Sequence, residues 1–379
     1  MRFKLTSSNV RSFTEEHLER LSNRAAGSSR IASADGVDCG WTTGEHLLDT
    51  SFTLEKNIIN DALFFALRVD VDKLPSDRLK AYTAIELKSL AANNPSGIPS
   101  ARQKREAKEA ARERIEEEAK DGRYRKSTII PVMWDLKTNE VWYGATSFTH
   151  IGRFISHFQD TFGLKLELIT AGSLAYQLAE SRDKARDVDD AAPTKFMPDS
   201  PVDVAWIADE SSRNFLGNEF LLWLWHYLDR VDDTFTLEDS SELTAMMARS
   251  LILDCPRGQM GQDAFRSEGP TRLPEAKRAA QAGKLPRRAG LTIVRHDQQY
   301  ELTLHAESFA IGTAKMPTMP EDVVDARARL EERVTQLRNL TEAVDLLYWR
   351  FLSDRLNKSW ARNSEIQNWL SSKVEAMAA

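Results

Sequence analysis

The chain reads as an α+β protein: mixed or antiparallel sheets flanked by helices, with a helical insertion and a long C-terminal helix. Three observations carry this. Strand and helix patterns alternate in the first half without the regular βαβ spacing of a doubly wound sheet. The segment Phe215 to Arg230 is apolar nearly all round (Phe220, Leu221, Leu222, Trp223, Leu224, Trp225), the mark of a helix buried inside a fold. From Pro320 onward, Leu330, Val334, Leu337, Leu340, Val344, Leu347 and Phe351 recur at 3/4 spacing and form one stripe on a long helix.

Taken in order, Arg2 to Leu5 opens as a strand. Thr14 is placed to cap a helix running to about Arg24, because its hydroxyl can accept from a free first-turn amide. Val37 to Thr42 and Ala62 to Val71 read as strands, the second ending in apolar/charged alternation. Leu74-Pro75-Ser76 opens a helix to about Asn93, and NNPSGIPS breaks it with two prolines and a glycine. A charged helix follows from Ala101 to about Lys120. Strands Ser127 to Asp135 and Glu140 to Thr146 flank a turn at Lys137-Thr138-Asn139, then come a helix from about His150 to Phe162 and a strand Lys165 to Ile169. Leu251 to Cys255 is a short strand followed by a Gly/Arg/Ser loop through Arg272, and Pro274 to Gln281 is helical. Gly290 to Arg295, Tyr300 to Ala306 and Phe309 to Ala314 make a three-stranded meander.

This gives four units: an N-terminal α+β domain (1–181) that includes the charged helix, a linker with the tryptophan-rich helical insertion (182–250), a small basic α+β domain (251–319) and a C-terminal helical extension (320–379). With 379 residues, the chain exceeds the size at which single cores stop growing. Cys39 and Cys255 have no metal-ligand spacing, so neither a disulfide framework nor a structural zinc is expected, which fits a reducing cytoplasm. No apolar segment is long enough to cross a bilayer, and MRFKLTSSNV has no apolar signal region.

Catalytic signatures are missing: there is no Walker A loop, GxGxxG, GxSxG or paired CxxC. His150 and His157 share a helix face two turns apart, too far to ligate one metal unaided, and read as ordinary histidines. Asp70, Asp72 and Glu86 with Lys88 resemble a metal-dependent nuclease set only if a helix residue joins strand residues, so strand-end charges are the simpler reading. Glu219, inside the apolar helix, reads as a buried structural acid. The expectation is therefore no catalytic constellation, no metal and no cofactor, with a metal-dependent DNA exonuclease as the alternative and a protein-interaction module as a third reading.

Charge is more informative. The formal net charge is -6, so the chain as a whole is no basic coat for nucleic acid, and DNA contact must come from a local surface. Within 101–126 there are 10 Lys/Arg and 7 Asp/Glu. Much of the helix is laced with i,i+4 pairs such as Arg105–Glu109 and Arg112–Glu116, but the run Arg123, Tyr124, Arg125, Lys126 interleaves an aromatic with cations. The strongest signal is 271–288, where Arg272, Lys277, Arg278, Lys284, Arg287 and Arg288 oppose Glu275 alone. Such a local excess attracts phosphate backbones. With the nearby Arg266, these residues are the expected DNA-binding set.

Several spaced pieces bear a family likeness: Gly40-Trp41 after a short strand, Leu74-Pro75-Ser76 before the helix with Glu86 and Lys88, the strand ending Met133-Trp134-Asp135, and Ala282-Gly283-Lys284 before GLTIV. In this order and spacing, the chain resembles the recombination-associated RdgC family of bacteria and their phages, over about residues 1–175 and 273–315. The resemblance implies an α+β fold and a ring-shaped homodimer with a basic inner surface. It also implies sequence-tolerant binding of double-stranded DNA, restraint of a recombinase partner and a cytoplasmic, nucleoid-associated location. Lys284 is the basic residue the likeness carries over. Glu268, Gly269 and Pro270 stand where the family has basic residues, and the middle insertion and C-terminal helix are departures from its shorter members.

Overall fold

The computed structural model describes residues 1–6, 10–28, 36–92, 97–197, 209–256, 260–319, 325–357, 360 and 364–372. Parts of five expected features lie outside these residues: 93–96 of the proline break, 198–202 of the linker, 257–259 of the Gly/Arg/Ser loop, 320–324 at the start of the C-terminal helix and 373–379 at its end.

The fold is α+β, with two antiparallel sheets. The first half comprises β1 (Arg2–Thr6), α1 (Glu15–Asn23), β2 (Val37–Thr42), α2 (Leu54–Asn57), β3 (Ile58–Ile59), β4 (Ala62–Asp72), α3 (Ser76–Ala92), α4 (Ala101–Ala119), β5 (Arg125–Asp135), β6 (Glu140–Tyr143), α5 (Ile151–Phe162) and β7 (Lys165–Leu168). Its strands pair in the order β2-β4-β5-β6-β1-β7, with β3 on β4. Thr14 caps α1 in a box with His17. The period-2 pattern of β4 puts Leu63, Phe65, Leu67 and Val69 on one face, where they form a core with Trp134, Phe154, Phe158 and Phe162. The opposite face carries Phe64, Met133 and Trp142. The helices α3 and α4 replace a simple turn between β4 and β5, which stay paired out to Asp72 and Arg125.

The second half comprises α6 (Ala171–Glu180), α7 (Ala185–Asp189), α8 (Phe215–Arg230), β8 (Thr234–Thr236), β9 (Glu242–Asp254), β10 (Gln262–Ser267), α9 (Pro274–Gln281), β11 (Leu285–Arg295), β12 (Gln298–His305), β13 (Ile311–Lys315), α10 (Ala326–Arg355) and α11 (Glu365–Ser371). The sheet order is β10-β9-β11-β12-β13, with β8 on β9. The meander is present as expected. The buried helix α8 lies under this sheet, and Phe220 meets Tyr348 at 5.2 Å and Phe351 at 5.6 Å between ring centroids. Gly217 allows the close approach: a Cβ there would sit 1.9 Å from the Ala306 carbonyl oxygen.

Four expectations need correction. The short strand 251–255 is the end of β9, so a boundary at 250/251 would cut through one strand. The loop expected through Arg272 contains β10, an exposed edge strand whose only large apolar residue is Phe265; backbone pairing to β9 holds it, which hydrophobic patterning does not reveal. The polar segment from 182 is no free linker, because Val188, Ala191 and Phe196 are buried in the second core. The C-terminal helix is not an addition to a finished body, since α10 joins both halves. Arg2 on β1 makes hydrogen bonds of 2.7–2.9 Å to Glu140 and to Asp345 of α10, and Arg355 pairs with Glu219 of α8 at 2.5 Å. Val334 and Val344 are buried as the stripe predicts, Leu337 is partly buried and Leu330 is exposed. Helix α10 ends at Arg355, and α11 begins at Glu365.

Candidate nucleic-acid interface

The two sheets are finished differently. In the second, alternation sends Leu251, Leu253, Ala289, Leu291, Leu302 and Leu304 into the core against α8. The intervening residues emerge on the outer face. Register places Ala264, Ile252, Arg288 and His305 side by side across β10, β9, β11 and β12. Arg266 lies opposite Ser250 one step along.

Local chain chemistry sets this arrangement. His296 and Asp297 both have positive φ (51° and 58°) and form the two-residue turn of the β11–β12 hairpin. That turn fixes the register, which brings Arg288 opposite His305. Beside it, β9 bulges where it passes β11, and Arg249 takes a φ of 70°. Gly290 makes room for the bulge, since a Cβ there would be 2.1 Å from the Ala248 carbonyl oxygen.

The loop Tyr143–Thr146 of the first half leans over this face and encloses a cleft of about 670 Å³ lined by Ser250, Arg266, Arg288, Thr303, His305 and Thr313. A second depression of about 740 Å³ shares Thr146, Arg288 and His305 with it and continues to Arg287 and Glu307. Arg266 and Arg288 are exposed and make no ion pair among the described residues. Around them stand hydroxyl donors and a half-buried imidazole. This is the chemistry of an anion site: fixed positive charge and rotatable O–H groups, with no carboxylate among the described residues paired to either arginine.

Other expected DNA contacts are placed differently. Lys284 is buried (7 % exposed), pairs with Asp263 at 2.7 Å and donates to the Met260 carbonyl at 3.1 Å. Arg287 lies between Glu307 (3.0 Å) and Asp254 (3.2 Å). Lys277 donates to Ser372 Oγ at 3.0 Å and sits over the Trp369 ring. Arg278 and Arg272 are exposed, the latter in a separate depression with Glu268. Arg123, Arg125 and Lys126 belong to the far end of the first sheet, where Arg123 pairs with Asp121 at 2.5 Å and Arg125 with Asp38 and Asp70. The basic segment 271–288 is therefore dispersed over several surfaces. Among the described residues, Arg288 alone of its last three cations has no ion pair.

Asp70, the leading carboxylate of the nuclease alternative, lies 2.8 Å from Arg68. Burial opposes its charge, but hydrogen bonds from Arg68 and Ser127 and the charges of Arg68 and Arg125 hold its carboxyl below the usual range. Among the described residues, no three His, Cys, Asp or Glu side chains converge as a metal site.

His305 was not among the expected residues. The signal for it is the hairpin itself: counting outward in pairs from the turn at His296-Asp297 sets His305 against Arg288. No helix of the described residues is long and apolar enough to cross a membrane. The chain matches no protein-family model, and no curated protein matches it.

Proposed function

We propose that the protein binds double-stranded DNA without marked sequence preference and, as the RdgC resemblance implies, modulates homologous recombination by restraining a recombinase. In this reading it acts as a homodimer associated with the nucleoid and needs no cofactor. The observation that supports it most is the presence of Arg266 and Arg288, two arginines with no ion pair among the described residues, on one sheet face of an acidic chain. Phosphates are the same in every sequence, so contacts of this kind position DNA without reading it.

The test is a titration of unrelated duplexes against the intact protein and the Arg266→Ala/Arg288→Ala double variant at several salt concentrations. Each lost phosphate contact reduces the slope of log K against log salt by roughly 0.9, so the double variant should lose roughly 2 units of slope. Affinity should fall by similar factors on every duplex. Unchanged affinity and slope in a folded double variant would place DNA on another surface.

A further inference from the structure

His305 has surroundings that its neighbours do not explain. It projects from β12 onto the outer face, directly opposite Arg288 of β11, and lines both depressions of the cleft. The charged groups around it come from four directions. Arg288 and Arg287 come from β11, and Arg266 comes from β10 across the same cleft. The Met1 amine acts from the first half. Glu307, just beyond β12, is bound to Arg287 and to Asn218 at 2.9 Å. From β13, Gly312 and Thr313 face it and carry no charge. No carboxylate among the described residues pairs with the ring.

We propose that His305 is a proton-coupled anion ligand: the ring is neutral in the free protein and takes up a proton when a phosphate group settles against Arg288 and Arg266. This rests on the cleft being the nucleic-acid site proposed above. The physical reason is a change of company. In the free protein, burial first and then the positive charges of Arg288, the amino terminus and Arg287 push the imidazole down to about 4. The Met1 amine is itself lowered to about 5 by burial and the Arg2 charge, so at neutral pH it adds little charge. A phosphate between the two arginines reverses the local field, and an opposite charge within ~4–6 Å favours the charged ring. Proton uptake then accompanies binding, and by linkage a lower pH tightens the complex.

The sign and window follow from the two states. Above the bound-state value, the ring is neutral with or without DNA and pH has no effect. As pH falls below that value, only the complex is protonated and affinity climbs, until the free ring protonates near 4. If the bound ring regains an ordinary value of ~6.5, affinity should rise about 30-fold between pH 7.5 and 5. DNA phosphodiesters do not titrate in this range.

The experiment measures affinity of the full chain for one duplex from pH 7.5 to 5 at fixed ionic strength, with calorimetry in two buffers of different ionisation enthalpy to count protons. His305→Gln keeps a hydrogen-bonding side chain that cannot ionise. The expected result is net proton uptake and a rising affinity in the parent protein, with both lost in a folded His305→Gln variant. Binding that is independent of pH, or a pH dependence that survives in His305→Gln, overturns the proposal but leaves the DNA reading standing. An absence of binding at low salt, or binding unaffected by the Arg266→Ala/Arg288→Ala change, overturns both.

Discussion

The first sheet is covered on both faces along its central strands; among the described residues, the second is packed on one face and on the other meets the loop Tyr143–Thr146. In the first, Phe65 and Trp134 face a helix-covered core while Phe64, Met133 and Trp142 on the other side meet Val334 and Leu337 of α10. The remaining open part of that face carries Arg68, Asp70, Arg125 and Asp38 in a closed network of ion pairs. The second sheet rests on α8 and turns arginines, hydroxyls and an imidazole outward. The difference teaches where to look for function. A charge that already has its partner serves the fold, and one that does not is available to a ligand.

The largest effect should come from cutting the tie between the halves. Arg2 has a side chain only 10 % exposed and holds Glu140 and Asp345 at once. Replacing it by Met leaves two carboxylates facing each other with no cation. Removing one partner of a buried pair costs about 3–5 kcal/mol, so denaturant unfolding of Arg2→Met should shift by that amount at pH 7. Burial already holds the Asp345 carboxyl above its usual range, against the pull of Arg2. A raised carboxyl gives stability below its unfolded value that is lost as pH rises, so the penalty should shrink in acid. A variant as stable as the parent would mean that the two halves do not depend on this tie.

The next effect separates a buried cation from an exposed one. Lys284→Met leaves the Met260 carbonyl and Asp263 without their donor. It should cost about 1–3 kcal/mol of stability while the folded variant binds DNA as the parent does. Arg288→Ala should do the opposite. If Lys284→Met lowers affinity in a folded protein, the cationic site is larger than the open face.

Two histidines with the same depressed range sharpen the contrast. In the first half, His157 packs against Trp41 at 4.6 Å, and burial above all lowers it to about 4. Between that value and the ordinary ~6.5, the unfolded chain binds more protons than the folded one, so stability rises with pH and is lost on acidification. The loss from this group should approach roughly 3 kcal/mol at most. His157→Phe should flatten that part of the stability profile and leave DNA affinity unchanged. His305→Gln should alter the pH dependence of affinity instead.

Much of the fold is legible in the chain because it depends on neighbours in sequence. The alternation of ALFFALRVDVD, the all-apolar α8, the Thr14 cap and the stripe on α10 are local patterns with local physical causes. What is illegible depends on distant partners. Nothing near Lys284 and Arg287 announces that Asp263, Asp254 and Glu307 will neutralise them, so a run of cations looks like one surface when it is several. β10 is hidden because it is an edge strand held by backbone pairing. His305 is partly legible, through hairpin register rather than composition.

The smallest effect is expected on α4, the helix with the densest charge. Its nineteen residues carry six cations and six carboxylates. Arg102 pairs with Glu106 and Arg112 with Glu116, each at 2.8 Å; the expected pair of Arg105 with Glu109 is not formed. Ala107, Ala111 and Ile115 are buried against neighbouring structure, so the helix is held by packing and its lysines are incidental to stability. Lys104→Ala with Lys108→Ala should therefore move stability by no more than about 0.5 kcal/mol. DNA affinity should also change little, because carboxylates on the same helix repel the phosphates that these lysines attract. A salt slope that stays within measurement error meets this expectation. A fall of roughly 0.9 for each lysine would mean that DNA reaches this helix, and the distinction between the neutralised first half and the open second sheet would no longer locate the binding surface.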